Sequence, residues 1–311
     1  MQDLRLCAGQ VRRVAVVSLG IDGMSRYALL CAAGLVGIGA CPGVALAETK
    51  ADDGQNAPVS MHDRVTAGVG LASVPSYIGS DQNVIVPMAA AQGQIAGLGF
   101  ELEGTSLSLD FVPHGDARGF KIQAGPVASL RLDRTTKIRD HAVRALGELS
   151  TAVELGGWIG LQKTGVLTSP YDTLSASLSY QHDVAGAHRS YIVSPEIDYD
   201  TPLSHRLYAS LSVSADYVGR RFGAYYYDID GAGSRASGLP TYSGAHKAGW
   251  KDWNANLMVA RSITGDLTHG MKVFAIAGYG RLLGRYARSP VVAIAGRRGQ
   301  PSFAVGLGYT F

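Results

Sequence analysis

The chain has 311 residues, among them 28 Lys or Arg, 25 Asp or Glu and 40 Gly. A charged fraction of 17% beside an apolar fraction of 46% excludes a disordered polyelectrolyte and a bundle of membrane helices. The glycines follow no Gly-X-Y period, which excludes collagen, and the formal charge of +3 is the one feature that points to a polyanion.

From Met24 the chain reads Met-Ser-Arg-Tyr, then an apolar stretch from Ala28 to Ala40, then Pro42-Gly43 and the small residues Ala45 and Ala47 before Glu48. A short basic start, an apolar centre and a small-residue end are the parts of a secretory signal peptide. The apolar part is shorter than the roughly 20 residues of a spanning helix. Residues 1–47 are therefore read as a leader cleaved after Ala47, with Met24 as its true start. The alternative is lipidation at Cys41, because Ile38-Gly39-Ala40-Cys41 loosely resembles a lipoprotein box. Cys7, Cys31 and Cys41 all lie in the leader, so the exported chain has no disulfide, thiol chemistry or cysteine zinc site. The leader also removes four arginines and two aspartates and leaves a net of +1. A nucleic-acid partner loses its electrostatic basis.

Residues 48–63 are polar and read as a flexible periplasmic lead-in. Beyond them apolar side chains alternate with small or polar ones, as a strand with two different faces requires. Twelve strands are expected: Arg64–Ser73, Val84–Gln92, Gln94–Leu102, Ser106–Val112, Phe120–Leu132, Leu149–Gln162, Thr173–His182, Ser190–Tyr199, Arg206–Val218, Trp250–Ser262, Met271–Leu283 and Ser302–Phe311. Ten is the alternative count. Short turns are expected at Gly93, Gly115, Lys163 to Gly165, Thr201 to His205 and Thr264 to Gly270, with longer loops between the others. Segments of about ten residues, an even count, and Tyr180, Tyr217, Trp253, Tyr279 and Tyr309 near strand ends describe an all-β fold. It is a transmembrane antiparallel up-and-down β-barrel of the outer membrane over residues 64–311. Backbone groups in lipid force such strands to close. Inward Gly, Ser and Ala account for the glycine excess through a narrow lumen.

The sequence resembles the MipA/OmpV family of outer-membrane proteins. The resemblance rests on Val69-Gly70-Leu71 with Pro75-Ser76-Tyr77-Ile78-Gly79-Ser80-Asp81, on Phe222-Gly223 with Ser237-Gly238-Leu239-Pro240, on Arg281-Leu282-Leu283-Gly284 with Ser289-Pro290-Val291-Val292, and on the terminal Gly308-Tyr309-Thr310-Phe311. Residues 224–233 separate the two halves of the second element more widely than the family pattern does. The resemblance implies a scaffold that brings a lytic transglycosylase together with a murein synthase in cell-envelope biogenesis. It also implies insertion by the barrel-assembly machinery, for which Tyr309 and Phe311 form the signal. The alternative reading is a small porin-like diffusion channel, and an outer-membrane lipid hydrolase ranks third.

No enzyme is expected. There is no Gly-x-Ser-x-Gly elbow, and the eight histidines are scattered. Asp228-Ile229-Asp230-Gly231 begins like a calcium loop but Leu239 stands where the closing Glu is needed, so neither metal nor cofactor is expected. Arg131, Glu154, Glu196, Asp198, Asp216 and Arg261 lie on strands, where charges face an interior and pair. They are the candidate lumen charges. Arg220, Arg221, Phe222, Tyr225, Tyr226 and Tyr227 form an aromatic-basic loop, a candidate contact for protein, glycan or lipopolysaccharide.

Overall fold

The computed structural model describes residues 64–112 and 120–311. The cleavage residues Ala45 and Ala47, the Cys41 alternative, the lead-in and the Gly115 turn lie outside the described residues. The strands are β1 (Arg64–Pro75), β2 (Asn83–Ile95), β3 (Leu98–Glu103), β4 (Ser106–Asp110), β5 (Phe120–Arg131), β6 (Ala152–Thr164), β7 (Thr173–Asp183), β8 (Tyr191–Pro202), β9 (Leu207–Val218), β10 (Gly249–Ser262), β11 (Gly270–Leu282) and β12 (Gly299–Thr310). Each is antiparallel to the next, and β12 pairs with β1 to close the barrel. The twelve expected strands are all present.

Register shows why the alternation closes. At the seam Val69 faces Leu307 and Leu71 faces Val305 on the outside, while Gly68 faces Gly308 and Gly70 faces Gly306 on the inside. The outward set is exposed, as an apolar band presented to lipid must be. Outward aromatics gather near the strand ends: Tyr217 packs edge-on against Trp250 and Trp253 lies beside Tyr279.

One turn differs from expectation. Gly93 pairs with Phe100 inside the ladder, and the chain reverses at Ala96-Gly97, both at positive φ of 51° and 82°. Two consecutive left-handed residues make the tight hairpin that matches strand twist. Gly93 is glycine for a different reason, since a Cβ there would sit 2.4 Å from the Arg64 carbonyl oxygen.

The wall is uneven. β3 and β4 have 6 and 5 residues where the others have 11 to 14, so Asn83–Met88 of β2 pair with β1 alone. Pro87 sits in that free edge, where a missing N–H costs no ladder bond.

The long loops carry short helices: α1 (His141–Ala145), α2 (Arg220–Tyr227), α3 (Gly231–Ser237), α4 (Gly284–Arg288) and α5 (Pro290–Ala293). They pack into apolar clusters with Tyr77, Ile138, Val143, Leu239 and Val291 at the long-loop end. The lumen is less uniformly small and polar than alternation suggests. Val84, Met88, Tyr208, Met258, Phe274 and Ile276 fill one side of it with a third apolar cluster.

Candidate functional site: a plugged mouth over a charged lumen

At the long-loop mouth α2 packs over the lumen charges. Gly219 precedes it in extended backbone, and Phe222, Gly223, Tyr226 and Tyr227 are its buried face. Gly223 permits a close approach: a Cβ would meet the Ala245 carbonyl oxygen and the Tyr286 ring. Arg134 donates to the Tyr226 carbonyl at 3.0 Å and Ser289 to the Tyr227 carbonyl at 2.5 Å. Tyr77 donates to the carbonyls of Val291 and Ala295. The Ile78 amide donates to Asp133 at 3.0 Å. Four loops are thus tied into one plug. Burial pushes the hydroxyls of Tyr77, Tyr226 and Tyr227 well above the ordinary tyrosine range, so the plug carries them neutral.

Beneath α2 lies a bed of buried charge. Arg131 donates twice to Glu154, at 2.7 and 3.1 Å, the two-bond geometry that strengthens a guanidinium–carboxylate pair. His188 Nε2 lies 3.0 Å from the same carboxylate. His188 is held by its own loop, because Asp183 accepts from the amides of Ala185, Gly186, His188 and Arg189. Lys251 bridges Asp216 at 3.0 Å and Asp252 at 2.7 Å, and Ser194 donates to Asp216 at 2.6 Å. The Phe222 ring rests on this bed, 5.4 Å from the Arg131 guanidinium, 5.9 Å from the Lys251 ammonium and 5.0 Å from the His188 ring. Cation–π contact and ion pairing hold the plug from below.

Deeper in the lumen the lining turns acidic. Glu196, Asp198 and Asp200 follow one another on the inner face of β8. Ser212 donates to Glu196, Ser175 to Asp198 and Tyr208 to Asp200. Glu103 of β3 lies within electrostatic reach of Glu101, Glu196 and Asp198. Among the described residues no cluster of three or more His, Cys, Asp or Glu is arranged to hold a metal ion.

Arg131, Glu154, Glu196, Asp198 and Asp216 therefore face the lumen, and the structure brings Arg131 and Glu154 into one pair. Arg261 does not join them. It stands opposite Leu207 and Val273 on the outward face of β10 and is exposed. Val259 and Leu257 set that parity. At the strand end, a long arginine can place its head in the interface while its stem stays on the apolar wall. The aromatic-basic loop divides as well. Phe222, Tyr226 and Tyr227 turn inward as plug residues, Tyr225 is half-buried, and only Arg220 and Arg221 are fully exposed. Asp228 accepts from the Ala245 amide and Asp230 caps α3 through the Gly233 amide, so the pair serves the loop fold. Tyr309 and Phe311 are exposed beside the seam, with rings 4.8 Å apart.

Lys251, Asp252 and His188 escaped the sequence reading. A bulge between Trp250 and Asp252 shifts the register and turns both Lys251 and Asp252 inward, where strict alternation allows only one. His188 had a legible signal, since Asp183 stands five residues before it at a loop start.

The family model for the MltA-interacting protein MipA matches residues 67–311. The chain belongs to the MipA family. This MipA-family protein is an integral outer-membrane β-barrel, and its long-loop end is the outer end. No curated protein matches the chain. Similar solved structures include the COG4313 outer membrane channel from Pseudomonas putida F1, 11% identical over 84% of this chain and 100% of that one, with a TM-score of 0.39. The CymD monoaromatic hydrocarbon channel is 12% identical over 80% and 87%, with a TM-score of 0.37. The Pseudomonas putida toluene transporter TodX is 9% identical over 82% and 90%, with a TM-score of 0.35.

Proposed function

We propose that this MipA-family barrel is a non-enzymatic interaction scaffold of the outer membrane that links a lytic transglycosylase to a murein synthase at its periplasmic side. The observation that supports it is the plugged mouth: α2 packed on the Arg131–Glu154–His188 and Lys251–Asp216–Asp252 bed leaves the outer end filled by side chains. A barrel whose outer end is packed in this way is suited to holding partners more than to passing solutes. In this reading the His188–Glu154 pair is structural, since no hydroxyl or thiol of the described residues bonds to His188 Nδ1 and the ring packs against Phe222. A nucleophile needs an activating base oriented toward it.

The full chain should be captured from cross-linked envelopes together with a transglycosylase and a synthase. The same protein in planar bilayers should give no steady current. Steady current without either enzyme in the capture would overturn the scaffold. It would support the second reading, a diffusion channel, which the acidic, hydroxyl-rich inner face of β8 and β9 favours.

A further inference from the structure

The chain from Arg281 to Arg298, the top of β11, helices α4 and α5 and the approach to β12, contains five arginines and no Asp or Glu. Arg281, Arg288, Arg297 and Arg298 are exposed and Arg285 is half-buried. Among the described residues none of the five makes an ion pair; the pairs there are formed by Arg131, His188, His246 and Lys251. One Arg285 guanidinium nitrogen is buried with no hydrogen-bond partner there. The neighbouring loop offers Asp81, which pairs with none of them.

These cations are displayed from a firm base. The Tyr286 hydroxyl donates to the Lys247 carbonyl at 3.0 Å, Ser289 to Tyr227, and Tyr77 to Val291. The Arg297 amide donates to the Gly79 carbonyl at 2.7 Å. The backbone bond from Leu282 to the Arg298 carbonyl sets the Arg281 and Arg298 positions side by side, and like charges on one segment with no ion-pair partner among the described residues repel one another. Such an arrangement is stabilised by an anion from outside.

The surface just below completes the pattern. Arg281 stands opposite Trp253 across the β10–β11 ladder, and Trp253 lies 5.8 Å from Tyr279. Further down the same outward face come Leu257, Phe303 and Val305, all exposed. From the membrane interior outward the order is apolar wall, Trp253–Tyr279 pair, arginine segment. An amphiphile with acyl chains, a sugar headgroup and phosphates presents the complementary order in the outer leaflet. Aromatics suit the headgroup level, and the arginine fork suits phosphate.

We propose that the outer rim of β10–β12 is a docking site for lipopolysaccharide, with its phosphates on Arg281, Arg298 and their neighbours and its acyl chains on the wall below. The occupant is a phosphorylated glycolipid because neither chemistry alone accounts for both the arginine segment and the aromatic pair.

The test uses the full-length barrel in detergent, native mass spectrometry, and bisphosphorylated lipid A as the probe. Dephosphorylated lipid A and inorganic pyrophosphate serve as the other two arms. Wild type should retain one lipid A at least about tenfold better than its dephosphorylated form, a gap expected of charge-assisted bonds. Arg281→Ala with Arg298→Ala should remove that preference, and Arg281→Lys with Arg298→Lys should restore most of it. Arg206→Ala with Arg261→Ala, exposed at the opposite end of the barrel, should leave it intact. Heat-modifiable mobility checks that each variant is folded. Equal retention of both lipid forms would overturn the proposal, as would wild-type retention by the alanine pair or equal loss in the Arg206/Arg261 control. Displacement of lipid A by millimolar pyrophosphate would reduce the site to a simple anion patch and would also overturn it.

Discussion

At the scale of single residues the barrel contains polar groups of opposite worth. Asp172 in the turn between β6 and β7 accepts from the amides of Val166 at 2.6 Å and Leu167 at 2.8 Å, from Thr168, and from the Tyr199 hydroxyl at 2.9 Å. Burial alone would raise its carboxyl, but the bonds from the Thr168, Val166 and Leu167 amides and from Tyr199 outweigh burial and hold it well below the usual carboxylate range. Asp172→Ala should therefore cost about 2 kcal/mol, since several donors lose a charged acceptor. Urea unfolding in lipid vesicles measures the loss. The contribution should be complete above the unfolded value of about 3.9 and fade as pH falls below it toward the folded value. A wild-type midpoint for the alanine variant at pH 7 would refute the cage. Tyr227 is the opposite case. Its hydroxyl is buried and bonded to no described residue, so Tyr227→Phe should leave stability unchanged or raise it by up to about 1 kcal/mol. A loss of that size would mean that the hydroxyl has an acceptor.

At the scale of elements the strands were legible and the plug was not. The period of two survives burial, lipid and register alike. In β9 it sets the exposed Leu211 and Val213 on the outward face and the buried Tyr208, Ser210 and Ser212 on the inward one. The plug helices have between four and eight residues. Isolated helices of that length do not form in water, and what holds them is contact with partners such as Tyr77 and Val143 far away in sequence. Lys251 was illegible because a bulge is an exception to the very period used to find it. Replacing Arg220–Ser237 by a short Gly-Ser turn should remove the cover over the Arg131–Glu154 bed while leaving all strand pairings intact. The truncated barrel should retain heat-modifiable mobility and conduct ions in planar bilayers. The carboxylates at Glu196, Asp198 and Asp200 should make that current cation-selective, read from the reversal potential in a salt gradient. A folded, silent truncation would place the seal deeper than α2.

At the scale of the whole molecule the decisive event is closure, which brings residues 244 positions apart into the Thr66–Thr310 hydrogen bond of 2.8 Å. Such a non-local pairing is slow to form and sensitive to anything that holds the two edges apart. Glycines at the seam bear directly on this step. A Cβ at Gly70 would lie 2.3 Å from the Val305 carbonyl oxygen and 2.9 Å from the Gly306 Cα, both rigid backbone atoms of the facing strand. At Gly308, two pairs further along the same seam, the nearest atom would be the Ala67 carbonyl oxygen at 3.4 Å, an ordinary contact. The two glycines look alike in sequence, both on the inward face, yet only one is required for the strands to meet. Gly70→Ala should therefore push β1 from β12 and cost about 1–3 kcal/mol, lowering the urea midpoint and slowing the appearance of the heat-modifiable folded band. Gly308→Ala should fold at close to the wild-type rate, with a midpoint within about 0.5 kcal/mol, as for substitutions that create no clash. If both variants fold alike, room at the seam is not what these glycines supply.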